Sequence, residues 1–363
     1  MIKKRICFII GVLANTGGTE RVCTMIANAL CERYDVTILS TWHKGDPSFQ
    51  INKNVNIDYL MEPWEGKIYH FFPKYFDWKY SRYLLRKKFD VCIDVDICLA
   101  EHTVPALAEA QTKIIEWCHF NYLHTASDPE RLHCLELAKK SSSRIVVLTK
   151  QDLKLHKEGG VSSKQLVQIY NPLTFDHVKP SPRSQHLAIA VGRLTDQKGF
   201  DLLLQAWAKV KQQNTDWRLA IIGSGEFEQS LKNLRDELHL ESVEFMPATS
   251  NIESWYDKAS AVLVSSRYEG FPMVLLESLS KGLPAVAFDC PTGPRELIDN
   301  GSTGFLISPD DGTNKFAEKT IELLESRDLQ NEFSANALEK SKQFEIESIK
   351  QQWINLLDQV ISE

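Results

Sequence analysis

The sequence has no apolar run that approaches the roughly 20 residues needed by a membrane-spanning helix. Its start, MIKKRICFIIGVLA, has the basic flank and short apolar stretch of a signal peptide. NTGGTER and an amphipathic stretch then follow, instead of a small-residue cleavage site. A first buried strand that leads into a glycine turn accounts for more of this pattern. We therefore expect a cytoplasmic protein that is not integral to a membrane.

Paired cysteines and an excess of positive charge are also missing. The eight cysteines are scattered, without a Cys-x-x-Cys pair or a Cys/His cluster of zinc-binding spacing, and fit free thiols in a reducing cytosol. The formal net charge is −6. Because nucleic-acid binding normally requires a basic surface, this charge argues against a nucleic-acid partner.

The dinucleotide-binding fingerprint Gly-x-Gly-x-x-Gly is absent as well. Neither GVLANTGG near the start nor GSGEFE in the second half completes it. This absence argues against a nicotinamide-dependent oxidoreductase.

The chain does contain strand-like apolar runs that alternate with helical patterns, which predicts the α/β class with parallel sheets covered on both faces. A length of 363 residues suits two domains. We predict a Rossmann-like domain over residues 1–170, a proline-rich linker over 171–186 and a second Rossmann-like domain over 187–343. A helix over 344–363 has one apolar stripe and is expected to pack, with the first domain as a candidate partner. In the first half, the predicted strands are Ile6–Gly11, Val36–Ser40, Val55–Leu60, Asp90–Val95, Lys113–Cys118 and Arg144–Leu148.

The motif EGFPMVLLE carries two carboxylates, Glu269 in a loop after the run AVLVSS and Glu277 within the following helix. Open α/β sheets bind ligands at this edge, where Gly270, Phe271, Pro272 and Met273 bring backbone amides and a helix start to a ligand. Glu277 suits hydrogen bonds to ribose hydroxyls. For an isolated pair of glutamates, a solvated loop and helix surface would be the simpler explanation.

The motif VGRLTDQKGF adds two cations on the turn after the first strand of the second half. Arg193 and Lys198 suit a diphosphate, whose developing charge fixed cations can stabilise without a metal ion. Either cation alone would be read as part of a solvated turn. GSGE, which contains Gly223, is a third glycine loop at a strand end.

Three further positions in the first half follow predicted strands. Gly17 and Gly18 in NTGGTER permit close backbone approach to a ligand, or form a tight structural turn. His119 follows KIIEWC and suits a sugar contact, although lone histidines are usually structural. Asp94 and Asp96 in CIDVD are candidates for contact with an acceptor hydroxyl.

Together these motifs resemble the retaining glycosyltransferase family 4, which has the GT-B fold of two Rossmann-like domains facing a central cleft. The likeness covers nearly the whole chain, through GGTER, YNP, GRLTDQKG, GSGE, EGFPMVLLE and DCPTGPREL. By resemblance, Arg193 and Lys198 bind the donor diphosphate, Glu277 binds the ribose, and Glu269 with the Phe271–Met273 backbone binds the sugar or phosphate. His119 would contact the donor sugar.

The resemblance implies a metal-independent transferase that moves a hexose, with retention, from a nucleotide diphosphate donor to a glycan or glycolipid in cell-surface polysaccharide synthesis. No bound cofactor is implied, since the nucleotide sugar is a co-substrate. The loop FMPATSN departs from relatives that carry glycine near Ala248, so UDP is the preferred but open choice of nucleotide. A sugar phosphorylase, a nucleotide-sugar epimerase of the same architecture and a non-enzymatic homologue that stabilises a partner remain alternatives.

Residues 64–89 differ in charge from the rest of the chain. Seven Lys or Arg residues and one acid, Asp77, lie between Lys67 and Lys88, interleaved with aromatic residues. The pattern fits peripheral binding to an anionic membrane on the inner face of the plasma membrane. It fits equally a helix with buried aromatics and a solvated basic face.

Overall fold

The computed structural model describes residues 3–66, 71–72, 74–175, 180–213 and 216–363. It divides into two compact units. Unit 1 consists of Met1–Pro172 together with Phe344–Glu363, and unit 2 consists of Leu173–Gln343.

Unit 1 contains a seven-stranded sheet in the order β3-β2-β1-β4-β5-β6-β7, with every pairing parallel. The strands are β1 (Arg5–Ile10), β2 (Asp35–Trp42), β3 (Val55–Met61), β4 (Val91–Asp94), β5 (Lys113–Trp117), β6 (Arg144–Val147) and β7 (Leu166–Gln168). The helices are α1 (Gly18–Leu30), α2 (Lys74–Lys87), α3 (Ala100–Ala106), α4 (Tyr122–Ser127), α5 (Pro129–Ser141), α6 (Lys150–Glu158) and α14 (Ile346–Ser362). The central strands are buried along nearly their whole length, as expected for a sheet covered on both faces.

The C-terminal helix α14 packs on unit 1 next to α1. Its apolar stripe is buried, and the Trp353 ring lies 4.8 Å from the Trp117 ring and 6.4 Å from the Phe8 ring, measured between centroids. Asp358 accepts a hydrogen bond of 2.7 Å from the Tyr34 hydroxyl. The end of the chain therefore completes the core that its beginning starts.

Unit 2 contains a six-stranded parallel sheet in the order β10-β9-β8-β11-β12-β13. The strands are β8 (Leu187–Val191), β9 (Arg218–Ile222), β10 (Val243–Met246), β11 (Ala261–Val264), β12 (Ala285–Phe288) and β13 (Gly304–Ile307). The helices are α7 (Phe200–Gln212), α8 (Glu228–Glu237), α9 (Glu253–Tyr256), α10 (Met273–Ser280), α11 (Pro294–Leu297), α12 (Gly312–Glu325) and α13 (Arg327–Ser341). Both sheets thus run outward from their first strand, β1 or β8, in two directions, which is the doubly wound arrangement.

The predicted α/β class and the two Rossmann-like sheets are confirmed, and the sequence missed only the short strands β7 and β13. The segment predicted as a linker is packed against unit 2 at Ser181. Ser181 is buried, and its backbone N–H donates to the Lys281 carbonyl at 2.9 Å. The described residues of 173–186 belong to unit 2, while 176–179 lie outside the described residues.

Two absences noted in the sequence have structural counterparts. All eight cysteines are free thiols, and seven of them are buried. In the part of the chain that the structure describes, every helix is too short or too polar to cross a bilayer.

Candidate functional site

The candidate site in unit 2 is built on two neighbouring strands, β8 and β11, which pair in parallel at Ala188 and Ala261. The strand order reverses at this point, because the chain moves from β8 to β9 on one side and returns to β11 on the other. The loops at the carboxyl ends of such strands diverge and leave a crevice, where open α/β sheets bind ligands. The motifs GRLTDQKG and EGFPMVLLE occupy these two loops.

The turn after β8 directs Lys198 toward the loop after β11. Lys198 ends a short 3₁₀ helix, and Gly199 follows in the left-handed conformation with φ of 59°. A Cβ atom at Gly199 would lie 2.2 Å from the Ser265 carbonyl oxygen, so the two loops touch only because this residue is glycine. A Cβ at Gly192 would lie 3.2 Å from three carbons of the Lys198 side chain, which indicates that the lysine stem lies across this glycine.

Lys198 and Glu269 form an ion pair with an Nζ to Oε1 distance of 2.6 Å. The Ser266 hydroxyl donates to the same oxygen at 2.6 Å, and Glu269 is only 5% exposed. Removal of one partner of such a buried pair leaves an uncompensated charge. Two residues that the sequence singled out separately are therefore in direct contact.

Arg267, which the sequence analysis missed, also joins the two loops. Its guanidinium binds both carboxylate oxygens of Asp201, at 2.9 and 2.7 Å, and its backbone N–H donates to the Gln197 carbonyl. This bidentate contact fixes the start of α7 to the loop after β11.

Arg193 lies on the same turn as Lys198 but differs from it in exposure and in side-chain contacts. Its side chain is exposed and has neither an ion pair nor a hydrogen bond with the described residues. The turn therefore offers one cation held by Glu269 and a second cation open to solvent. Both can face an anionic ligand at the carboxyl edge of β8.

Glu277 lies in α10 and is 6% exposed. Its Oε2 accepts a hydrogen bond of 2.7 Å from the Tyr256 hydroxyl, and its Oε1 accepts one of 3.2 Å from the Thr174 hydroxyl. Tyr256 and Thr174 thus hold the orientation of the Glu277 carboxylate.

The segment Gly270–Met273 connects β11 to α10, with Pro272 as the residue that precedes the first helical position. Phe271 and Pro272 are buried, while Gly270 and Met273 are half-buried. Gly293 packs against this segment with φ of 97°, and a Cβ there would lie 2.5 Å from Pro272 Cδ. The Thr292 hydroxyl donates to the Glu269 carbonyl. The loop after β12 therefore supports the loop that carries Glu269.

Gly223, at the end of β9, has a packing role. A Cβ atom at this position would lie 1.9 Å from the Gly192 carbonyl oxygen. The next residue joins the two loops further, since the Leu194 N–H donates to the Ser224 carbonyl at 3.0 Å. The GSGE loop thus stabilises the turn that carries Arg193 and Lys198, and its predicted contact with a ligand stays a prediction.

The candidate residues of unit 1 are less closely connected. Gly17 precedes α1, which begins at Gly18, and a Cβ at Gly17 would lie 2.5 Å from a carboxylate oxygen of Glu20. His119 follows β5, and its ring centroid lies 4.6 Å from that of Trp117. Burial lowers the pKa of His119 to about 3, so the ring is neutral at pH 7. Its buried Nε2 atom has no hydrogen-bond partner among the described residues.

The expectation that Asp94 contacts an acceptor is wrong. Asp94 is 0% exposed, and its carboxylate accepts a hydrogen bond of 2.8 Å from the Thr103 hydroxyl. Asp96 is partly buried and already binds the Arg131 guanidinium at 2.9 and 3.1 Å. The sequence pattern located the end of β4 correctly but could not tell which side chains remain open to solvent.

No group of three or more His, Cys, Asp or Glu side chains is arranged to hold a metal ion, as far as the described residues extend.

Comparison with known proteins agrees with this architecture. The family described as Glycosyltransferase Family 4 matches residues 16–177, and the family described as Glycosyl transferases group 1 matches residues 174–340. An uncharacterized glycosyltransferase of Haemophilus influenzae is 32% identical over 360 residues, which cover 98% of this chain and 100% of that protein. A Campylobacter jejuni α-1,4-N-acetyl-D-galactosaminyltransferase, named for a saccharide acceptor on PP-undecaprenol, is 28% identical over 98% of this chain and 99% of its own.

Among solved structures, Anabaena HepE in complex with UDP superposes with a TM-score of 0.80 at 20% identity. The match covers 98% of this chain and 100% of that chain. This similarity concerns the fold, which is GT-B. By the sequence matches over both of its halves, the chain belongs to the family 4 glycosyltransferases.

Proposed function

We propose that this glycosyltransferase takes a hexose from a UDP-linked donor bound at the carboxyl edge of β8 and β11, and transfers it with retention to a glycan or lipid-linked glycan of a cell-surface polysaccharide. The observation that carries the proposal is the contact between Lys198 and Glu269 at the point where the strand order reverses. The structure of HepE in complex with UDP supports the choice of nucleotide. The name of the Campylobacter jejuni relative includes a saccharide on PP-undecaprenol, which supports a lipid-linked glycan as the acceptor.

In the proposed mechanism, the donor diphosphate lies against the turn after β8. Arg193 and Lys198 stabilise the negative charge that develops on the leaving phosphate, and they do so at fixed positions. Glu269 keeps the Lys198 ammonium in place through the 2.6 Å contact. Glu277, whose carboxylate is oriented by Tyr256 and Thr174, binds the ribose hydroxyls.

Two cations on this turn can supply the charge stabilisation that a divalent ion supplies elsewhere, so we propose that the reaction is independent of metal. The leaving phosphate can accept the acceptor proton on the same face, which would retain the anomeric configuration without a separate base.

The first experiment compares thermal shifts with UDP, GDP, ADP and their hexose derivatives. Ligands that bind the native state raise the melting temperature, and we expect UDP and one UDP-hexose to give the largest rise. A larger rise with another nucleotide would overturn the choice of UDP.

The second experiment measures transfer from that donor to saccharide and lipid-linked acceptors, with and without a chelator, and determines the anomeric configuration of the product by NMR. We expect full activity with the chelator and a product of retained configuration. Loss of activity that added metal restores, or an inverted product, would contradict the mechanism.

A further inference from the structure

Helix α2 and the residues just before it expose an unusual number of large apolar side chains. The exposed fraction is 73% for Phe71, 67% for Phe72, 53% for Trp78 and 50% for Leu85. Single exposed apolar residues are common on soluble proteins, but several within one segment indicate an interaction surface.

The exposed side chains belong to a helix whose other face is fully packed. Phe76, Tyr80 and Leu84, spaced at four residues, are buried in the core of unit 1. The Tyr80 hydroxyl lies 2.6 Å from the Thr103 hydroxyl. Exposure of the opposite face therefore does not result from a lack of packing, since α2 is already anchored by its inner face.

The cations of this segment divide into two groups. Lys79 binds Glu65 at 2.7 Å, and Lys87 binds Asp58 at 2.7 Å, so both are neutralised within unit 1. The other described cations are exposed and form no salt bridge with any described residue; they are Lys74, Arg82, Arg86 and Lys88. The one acid on this helix, Asp77, lies 2.7 Å from His102.

This division refines the sequence expectation. Residues 67–70 and 73 lie outside the described residues, and the sequence could not separate buried from exposed aromatics. On the exposed side of α2, Lys74, Trp78 and Arg82 follow one another at intervals of four residues, and the Arg82 guanidinium lies 5.2 Å from the Trp78 ring centroid. The surface is therefore both apolar and positively charged on a chain whose net charge is −6.

We propose that this surface, the α2 face formed by Phe71, Phe72, Lys74, Trp78, Arg82 and Arg86, docks on an anionic lipid bilayer. Aromatic rings and arginine side chains sit at the headgroup level of a bilayer, where the rings enter the acyl boundary and the cations bind anionic lipids. A second copy of the same face is a poor partner, because its cations would meet like charges. The bilayer supplies the opposite charge and an apolar layer together.

The test is co-sedimentation of the full chain with vesicles of phosphatidylcholine alone, or with about 30% phosphatidylglycerol. We expect binding to the mixed vesicles that falls with rising salt, and little binding to the neutral ones. We expect a partition coefficient at least ~10²-fold lower in the triple variant that combines Lys74→Glu, Arg82→Glu and Arg86→Glu. Each cation near an anionic surface contributes a factor of about five. Equal binding to both vesicle types would overturn the proposal.

A control triple variant carries the same change in net charge on another part of unit 1. Lys53, Lys157 and Lys164 are exposed and form no salt bridge with the residues that the structure describes. Their combined replacement by Glu should leave partition within ~3-fold of wild type if binding uses the α2 face. An equal loss in both triple variants would overturn the assignment of the α2 face.

A second variant separates docking from folding. Phe72→Ser with Trp78→Ser changes no charge, and both side chains are mostly exposed, so the thermal melt should be nearly unchanged while vesicle binding falls at least ~10-fold. Unchanged binding in this variant would overturn the proposal. So would concentration-dependent dimers that the variant abolishes without any vesicle binding, because that result would assign the face to a second copy.

Discussion

The two sheets of this molecule share the order of their first six strands but differ in the side chains at their carboxyl edges. In unit 2, the edge of β8 and β11 has a carboxylate paired with a cation, Glu269 with Lys198, beside the exposed Arg193. In unit 1, the ends of β4 and β5 have two carboxyl groups, Asp94 and Glu116, side by side and fully buried. A shared topology therefore sets where functional groups lie, while the loops decide whether they are open to a ligand.

The carboxyl pair of unit 1 is held by neutral donors alone. Thr103 donates to Asp94 at 2.8 Å, and Ser142 donates to Glu116 at 2.7 Å. The other oxygen of each group has no donor among the described residues, so a proton shared across the pair would complete its hydrogen bonds. Burial raises the pKa of both groups, that of Asp94 to about 8.

The largest effect should come from the cations of unit 2. Lys198→Ala or Arg193→Ala should lower the turnover number by at least ~10²-fold, because each removes a fixed stabiliser of the leaving phosphate. The Arg193 side chain has no ion pair or hydrogen bond with the described residues, so its variant should keep wild-type stability. Turnover is measured with the donor identified by thermal shift.

Lys340→Ala is the matched control for Lys198→Ala. Lys340 forms an ion pair of the same length, 2.6 Å to Asp299, on another part of unit 2. Its variant should retain wild-type turnover. Comparable losses at both lysines would attribute the effect to general weakening of unit 2.

A smaller effect is expected at Glu277. Glu277→Ala should weaken UDP binding by 1.5 to 3 kcal/mol, or about 10- to 150-fold, because the hydrogen bonds from ribose to a charged carboxylate are lost. Isothermal titration calorimetry measures this difference directly. Wild-type affinity would remove Glu277 from the nucleotide site.

Tyr256→Phe should cost less, about 0.5 to 1.5 kcal/mol in UDP binding, because only one hydrogen bond that orients Glu277 is lost. The double variant Tyr256→Phe with Glu277→Ala is the informative measurement. If Tyr256 acts through Glu277, the double variant loses no more affinity than Glu277→Ala alone. Additive losses would mean that Tyr256 binds the nucleotide independently.

An effect of a different kind concerns stability and comes from unit 1. A carboxyl group with a higher pKa in the folded chain binds a proton that the unfolded chain releases, so stability falls as pH rises between the two pKa values. For Asp94 this window extends from 3.8 to about 8. The free energy of unfolding should therefore fall more between pH 5 and pH 8 in the wild type than in Asp94→Asn.

Urea denaturation at the two pH values measures this difference. Parallel pH dependence in the two proteins would show that the pair carries no proton at neutral pH. The comparison of the two sheets would then be weaker, because the carboxyl groups of unit 1 would be ionised.

Sequence patterns predicted most of the fold because buried parallel strands are nearly continuous apolar runs. Strand β13 was missed, although it is no shorter than β10 and β11, which were found. Arg193, Lys198, Glu269 and Glu277 were each found by motif.

The contacts among the site residues could not be predicted in the same way. The ion pair between Lys198 and Glu269 forms because β8 and β11 are neighbouring strands. The packing of the whole sheet decides this strand order. Thr174 and Tyr256 belong to no recognisable motif. They lie 103 and 21 residues from Glu277 in the chain, so no local pattern predicts that they contact it. Their role follows only from the folded backbone.

Helix α14 has a consequence for the order of folding. Unit 1 is discontinuous, and Trp353, which packs on Phe8 and Trp117, follows the whole of unit 2 in the chain. During synthesis the first domain to emerge is thus the last to be completed, and the aromatic rings that await α14 stay uncovered while the second domain is translated. We therefore expect the core of unit 1 to close only after the last helix of the chain has been synthesised.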